Sequence, residues 1–231
     1  MTQLLRVDDP HGVGLPPALI AAYVERFGIR CRHVRITSHQ AAGGRTTWVG
    51  LTIDARDNLA ALQARSADMP LIDTAEVVGR RLADQLRETG LDVSVVDDSP
   101  APLINGGRER WASVRDDSGS ITGYAVHCDA QLPARLAELA ALPGEVWTAV
   151  EFAGTGARPT VAAACAIRTG ETVKGVPLAG LSIERGRQRP LLTALDPKSV
   201  DSLGVPAVPA GSVPVAELGE HEVPQEAGHP A

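Results

Sequence analysis

Aromatic side chains are few in this sequence: 2 Phe, 2 Tyr and 3 Trp make up 3% of its 231 residues. Its core must therefore be aliphatic, and each Trp-bearing segment marks where that core lies. Cysteine is scarce too. Cys31, Cys128 and Cys165 are odd in number and widely spaced, which excludes a disulfide scaffold and fits a reducing compartment, with the cytoplasm as the default location. No window approaches the roughly 20 apolar residues that span a bilayer, and the uncharged stretch 12–24 is broken by Pro16 and Pro17. The first residues, Met1 to Asp8, lack the basic and apolar regions of a signal peptide, so the chain as written is expected neither to cross nor to enter a membrane. Positive charge is short as well. With 22 Lys and Arg against 28 Asp and Glu, the net charge of -6 excludes broad affinity for nucleic acid.

What is present is ordinary globular material, 44% hydrophobic and 22% charged, long enough to bury a sizeable core as one domain or two short ones. Two β-branched runs around a Trp, Arg45 to Asp54 and Glu145 to Phe152, read as core strands. A helix is expected from Pro16-Pro17 to Gly28, with Leu19, Ile20, Tyr23, Val24 and Phe27 as its apolar stripe. Residues 33–37 and 46–53 then form a hairpin across a 38–44 turn. A short helix at 58–64, capped by Asp57, precedes a longer one at 74–89. The longer helix has Asp73 as its cap, Val78, Leu82 and Leu86 on one face, an Arg80–Asp84 pair on the other, and Gly90 as its stop. Strands follow at 92–96 and 120–127, a helix from Leu132, paired strands at 146–152 and 159–168 across the Gly154-Thr155-Gly156 turn, and a helix at 188–195. The second half echoes the first, since Leu132-Pro133-Ala134 resembles Leu15-Pro16-Pro17 and each leads into Trp-containing strand structure; duplication and chance both account for this. The expected fold class is α/β, with a mixed sheet or sheets flanked by helices in two loosely similar halves. One domain spans 12–195. Residues 196–231, rich in Pro and Glu, form a tail with too little apolar surface to offset ordering entropy, expected to be extended or disordered.

The search for chemistry finds no catalytic signature. Gly154-Thr155-Gly156-Ala157-Arg158-Pro159 has the opening of a phosphate loop, but Pro159 replaces the third glycine and a strand follows, so it reads as a hairpin turn. Asp97-Asp98 at a strand end has the form of a divalent-cation motif in a nucleotide-sugar transferase, yet supporting residues are missing and Asp8-Asp9 and Asp116-Asp117 show how readily such pairs arise. Neither Cys31 with His33 nor His127 with Cys128 has zinc-site spacing, and Cys165 reads as a small buried hydrophobe. No GxSxG elbow marks a nucleophile. No catalytic, cofactor-binding or metal-binding residue is assigned. Two segments remain as candidate partner-binding residues: Arg108, Arg110 and Trp111, a charged collar around an aromatic, and Arg185, Arg187 and Arg189, a basic loop. The alternatives are an element edge with Trp111 packed inward and a solvated turn.

Taken together, Leu15-Pro16-Pro17, Thr47 to Ile53, Asn58-Leu59-Ala60-Ala61-Leu62, Arg80 to Leu86, Arg108 to Trp111 and Glu145 to Phe152 resemble the EccE component of the actinobacterial type VII (ESX) secretion membrane complex, over residues 12–195. The resemblance implies a soluble domain, tethered to the inner membrane by transmembrane helices absent from this chain, facing the cytoplasm and packed beside EccB, EccC and EccD. It further implies a glycosyltransferase-like α/β shape without the active residues, and a non-enzymatic structural role that needs no cofactor. The rival expectations are a divalent-metal-dependent transferase using Asp97 and Asp98, and a stand-alone cytoplasmic adaptor.

Overall fold

The computed structural model describes residues 1–65, 71–96, 103–170 and 175–219. In chain order the elements begin with β1 (Thr2–Asp8), α1 (Pro17–Ala21), a 3-10 turn (Ala22–Val24), β2 (Glu25–Arg26), β3 (Ile29–Ala41) and β4 (Gly44–Ile53). After a 3-10 turn (Arg56–Asn58) come α2 (Leu59–Arg65), α3 (Leu71–Glu88) and β5 (Asp92–Val96). The second half contains β6 (Arg108–Glu109), β7 (Val114–Asp116), β8 (Gly119–Val126), α4 (Leu132–Ala140), β9 (Glu145–Thr155), β10 (Arg158–Thr169), β11 (Leu181–Ile183), α5 (Gln188–Ala194) and β12 (Val208–Pro209). Two further 3-10 turns, Ala210–Ser212 and Val215–Gly219, follow. None of the described helices is long and apolar enough to cross a membrane.

The strands form one sheet in the order β5-β1-β4-β3-β9-β10-β8-β7-β6, with β11 beside β8, β12 beside β10 and β2 folded back on β3. All of the described pairs are antiparallel. The order β1-β4-β3 on one side and β9-β10-β8 on the other is that of two like units meeting back to back. In each unit a strand and a proline-led helix precede a hairpin closed by a two-residue turn, Ala41 opposite Gly44 and Thr155 opposite Arg158. The seam runs through the β3–β9 ladder, with Ile36 opposite Val150 near its middle. The two loosely similar halves are thus visible as topology. The two Trp strands do not correspond, however: Trp48 lies on the second strand of its hairpin and Trp147 on the first of its own.

Side-chain alternation divides β3 between two faces. Val34 and Ile36 join a cluster with Leu51, Val150, Phe152 and Cys165, covered by α1, α3 and α4 through Ile20, Val78, Leu82, Leu86, Leu132 and Leu139. Each such fully buried aliphatic side chain stabilises the fold by about 1.5–3 kcal/mol. The opposite face carries Trp48, Trp147, Ala149, Ala164 and Ala166 under α5 and Leu203. Trp147 stacks between His39 and Trp48, its ring centroid 3.9 and 5.9 Å from theirs.

Several expectations are corrected. The helix expected from 16 to 28 stops after one turn of α-helix and one of 3-10, because Glu25 and Arg26 pair with Arg30 and Ile29 around a Phe27-Gly28 turn. Gly28 serves a hairpin, not a helix stop, and Phe27 leaves the stripe for the surface, half exposed. The turn expected over 38–44 shrinks to residues 42 and 43, with ladder pairs continuing to Ala41–Gly44. Asp73 lies inside α3 instead of capping it, and the ion pairs on that helix are Glu76–Arg80 and Asp84–Arg87, not Arg80–Asp84. Gly90 does end it, with φ +95 and its N–H on the Arg87 carbonyl.

Packing also continues on both sides of 12–195. β1, which precedes residue 12, lies inside the sheet between β5 and β4. The segment after 195 is extended in part but is not a separate tail through residue 219. Leu203 is buried on one face, Val208 and Pro209 pair with Val161 and Thr160 where β8 no longer covers β10, and Val213 is buried on the other face. It forms a strap that passes from one side of the sheet to the other.

Candidate partner-binding site

The two segments singled out in the sequence come together. Arg110 N–H closes a tight turn on the Ser113 carbonyl, which presents Trp111 between β6 and β7. The Trp111 carbonyl accepts the Gly186 N–H at 2.8 Å. The indole lies over Gly186, where a Cβ would come within 2.9 Å of the ring and where φ is +72. Trp111 is nevertheless 71% exposed, which rules out inward packing.

The arginines divide into two groups. Arg189 is structural: its guanidinium donates to the Gly106 and Gly107 carbonyls, and its backbone N–H is held by Glu109. Arg108, Arg110, Arg185 and Arg187 are exposed, and none has a described carboxylate within 4.0 Å. Arg115, opposite Arg108 across the β6–β7 pair, adds a further cation. These arginines flank the one exposed Trp of a molecule of net charge -6, next to a cleft of about 430 Å³ whose lining mixes Arg187 and Arg189 with Glu109, Glu184 and Asp201.

The other candidates are dispersed. Asp97 and Asp98 lie outside the described residues. The Gly154-Thr155-Gly156 stretch is part of the β9–β10 hairpin. Cys31, Cys128 and Cys165 are free and buried, and burial pushes the first two thiols up to about 12 and about 11 and the third higher still. Among the described residues no three His, Cys, Asp or Glu side chains converge as metal ligands.

Sequence reasoning missed a buried charge cluster on the α5 face. Arg35 is 1% and Glu151 5% exposed. They are cross-strand partners on β3 and β9, with Nη2 to Oε2 at 2.6 Å. Arg35 also donates to the carbonyls of Ala194 and Asp201, while Glu151 accepts the Leu203 N–H at 3.2 Å. Because Arg35 only donates, its contact with His33 Nε2 at 3.3 Å puts the imidazole proton on Nδ1. Burial and the neighbouring Arg35 cation drive the His33 pKa down to about 3. The sequence signal is weak: Glu151 stands in the apolar β9 run, but Arg35 is one of three arginines along β3, with Arg30 and Arg32. Being sealed from solvent, the cluster holds the strap and does not offer a site.

Residues 41–126, from the β3–β4 turn through β8, match the family described as "Putative type VII ESX secretion system translocon, EccE". A protein of Mycolicibacterium smegmatis named ESX-3 secretion system protein EccE3 is 49% identical over 235 residues, covering 100% of this chain and 75% of that protein. The chain belongs to the EccE family. Two Mycobacterium tuberculosis proteins of the same name, from strains CDC 1551 and H37Rv, are 46% and 45% identical over 225 residues, covering 91% of this chain and 68% of each. The EccE family match spans β6, β7 and Trp111, whereas the basic loop at 185–189 and the strap lie outside it and within the alignment to the Mycolicibacterium smegmatis protein.

Proposed function

We propose that this chain is a non-enzymatic structural subunit of a type VII (ESX) protein-secretion membrane complex. In this reading it stands at the cytoplasmic face of the plasma membrane, tethered by segments outside the chain, and stabilises the assembly by packing beside EccB, EccC and EccD. Family membership and the names of its EccE3 relatives support the assignment to that machinery. The observation that carries the mode of action is the exposed Trp111 seated on Gly186, flanked by arginines that have no carboxylate within 4.0 Å among the described residues. The surface meets an acidic face of another subunit, with the indole as anchor and the guanidinium groups as steering charges.

The test is reconstitution of the complete membrane complex with Trp111→Ala and with the pair Arg185→Glu and Arg187→Glu. Both variants are expected to keep the domain's melting temperature and to lower its retention in the complex by about tenfold or more, as the loss of a hot-spot residue does. Full retention and secretion by both variants would reject this surface. Unchanged assembly and secretion without the domain would reject the structural role altogether.

A further inference from the structure

We infer that the tip of the β2–β3 hairpin is a second docking point, an aromatic–guanidinium peg shaped for an acidic pocket on a protein partner. Arg26 opposite Ile29 closes a two-residue turn made of Phe27 and Gly28, with φ of +55 and +73. Positive φ at both positions is what a type I′ turn requires, and its first position suits Asn, Asp or Gly. Phe27 is the sole non-glycine residue with positive φ among the described residues. A bulky side chain in that region is a true outlier, and such strain persists where surrounding structure imposes it and clusters where a site needs it.

Burial does not account for the strain, because Phe27 is 50% exposed in a chain with only 2 Phe. Two guanidinium groups approach its ring, Arg26 at 5.1 Å and Arg81 at 4.9 Å from the centroid. Neither arginine has a described carboxylate within 4.0 Å. The base of the peg is fixed: Tyr23 packs edge-on at 6.2 Å and donates its hydroxyl to Gln85, and Glu25 accepts the Gly156 N–H at 2.8 Å from the β9–β10 turn. A preorganised aromatic approached by two cations with no described carboxylate within 4.0 Å favours a concave, carboxylate-lined protein surface. A single exposed Phe offers little apolar area to a bilayer, with which membrane binding strength scales. The peg stands on β2, β3 and α3, whereas Trp111 stands between β6 and β7.

The inference rests on the subunit reading, so it is tested inside the complex. Phe27→p-benzoylphenylalanine, photolysed in the purified, reconstituted membrane complex, is expected to give an adduct with an Asp- or Glu-containing peptide of another subunit. The pair Arg26→Glu and Arg81→Glu should suppress that adduct. Cross-linking to lipid alone, or no adduct at position 27 while the same amino acid at position 111 cross-links, overturns the peg and leaves the subunit reading standing. Silence at both positions overturns the peg as well, and reconstitution without the domain then decides the wider reading. Independently, Phe27→Asn relieves the turn: the domain's melting temperature should rise while its affinity for the complex falls about tenfold, the loss of one hot-spot anchor. A lower melting temperature, or unchanged affinity, counts against the inference.

Discussion

Two buried side-chain amides do the work of missing strand partners. Gln188, fully buried at the start of α5, accepts the Gly123 N–H at 2.7 Å and donates to the Gly123 carbonyl at 3.1 Å, in the gap of the β8 edge between its pairings with β7 and β11. Asn58 does the same for Arg30, accepting its N–H and donating to its carbonyl, each at 2.8 Å. Gln188→Leu keeps the bulk but orphans the buried Gly123 N–H and leaves its carbonyl only the long 3.5 Å contact from the Glu184 N–H, so it should destabilise the fold by about 1–3 kcal/mol in urea melts. His33 gives a pH prediction at the same scale. Its folded-state pKa of about 3 lies below the value near 6.5 expected in the unfolded chain, so acidification protonates the unfolded chain first. The neutral His33 contribution is therefore intact above pH 6.5 and is lost as pH falls towards 3, by up to about 1.4 kcal/mol per pH unit. His33→Gln should flatten the fall in stability over that window, and parallel curves would refute the assignment. Gln188 and His33 gave no sequence signal: a polar residue that will be buried reads the same as one that will be solvated until the fold places its partners.

At the scale of elements, legibility followed periodicity. The 3.6-residue stripe of Val78, Leu82 and Leu86 revealed α3, the β-branched runs revealed β4 and β9, and the Gly154-Thr155-Gly156 turn led to the alanine-rich β10, because a face that must be buried leaves a regular trace. β1 left little trace: Leu4, Leu5 and Val7 form a run too short to tell strand from helix even though Asp9, Pro10 and Gly12 follow it, and only pairing with both β4 and β5 makes it a strand. The free edge at β5 is blunted by Arg87 of α3, whose guanidinium caps the Val93 carbonyl at 3.1 and 2.6 Å. Close approach sets a second limit that sequence hides. Gly79 brings α3 so near to β1 that a Cβ there would come within 2.5 Å of Gln3 Cγ. Gly79→Ala should therefore destabilise the fold by about 1–3 kcal/mol through overpacking, against the roughly 1 kcal/mol that alanine contributes in an unobstructed helix. A gain in melting temperature would show that α3 can withdraw from the sheet without loss. The candidate site was half legible for the same reason. Trp111 and the arginines were visible as residue types, but the Gly186–Trp111 contact joins segments that no periodicity links.

The whole molecule is held by a contact between its halves that also anchors its C-terminal strap. Arg35 belongs to the first half and Glu151 to the second, and both reach the 194–203 segment through backbone groups, so one ion pair fastens three parts of the chain. Gly50 permits the close passage, since a Cβ there would stand 2.9 Å from the Pro197 carbonyl. This coupling explains why a proline-rich segment with few apolar residues is ordered: the strap is held by buried charge-assisted hydrogen bonds, and Leu203 and Val213 add the apolar contacts. A buried pair of this kind need not add net stability, but removing one partner leaves an uncompensated buried charge. Arg35→Met alone should then cost about 3–5 kcal/mol and loosen the strap, which limited proteolysis between 196 and 207 would detect. Adding Glu151→Leu removes the stranded carboxylate and should recover part of the stability while leaving the strap sensitive to protease, because the carbonyls of Ala194 and Asp201 and the Leu203 N–H still lack their partners. If the double variant is as stable and as protease-resistant as the parent, apolar packing alone seats the strap and the ion pair is incidental to it.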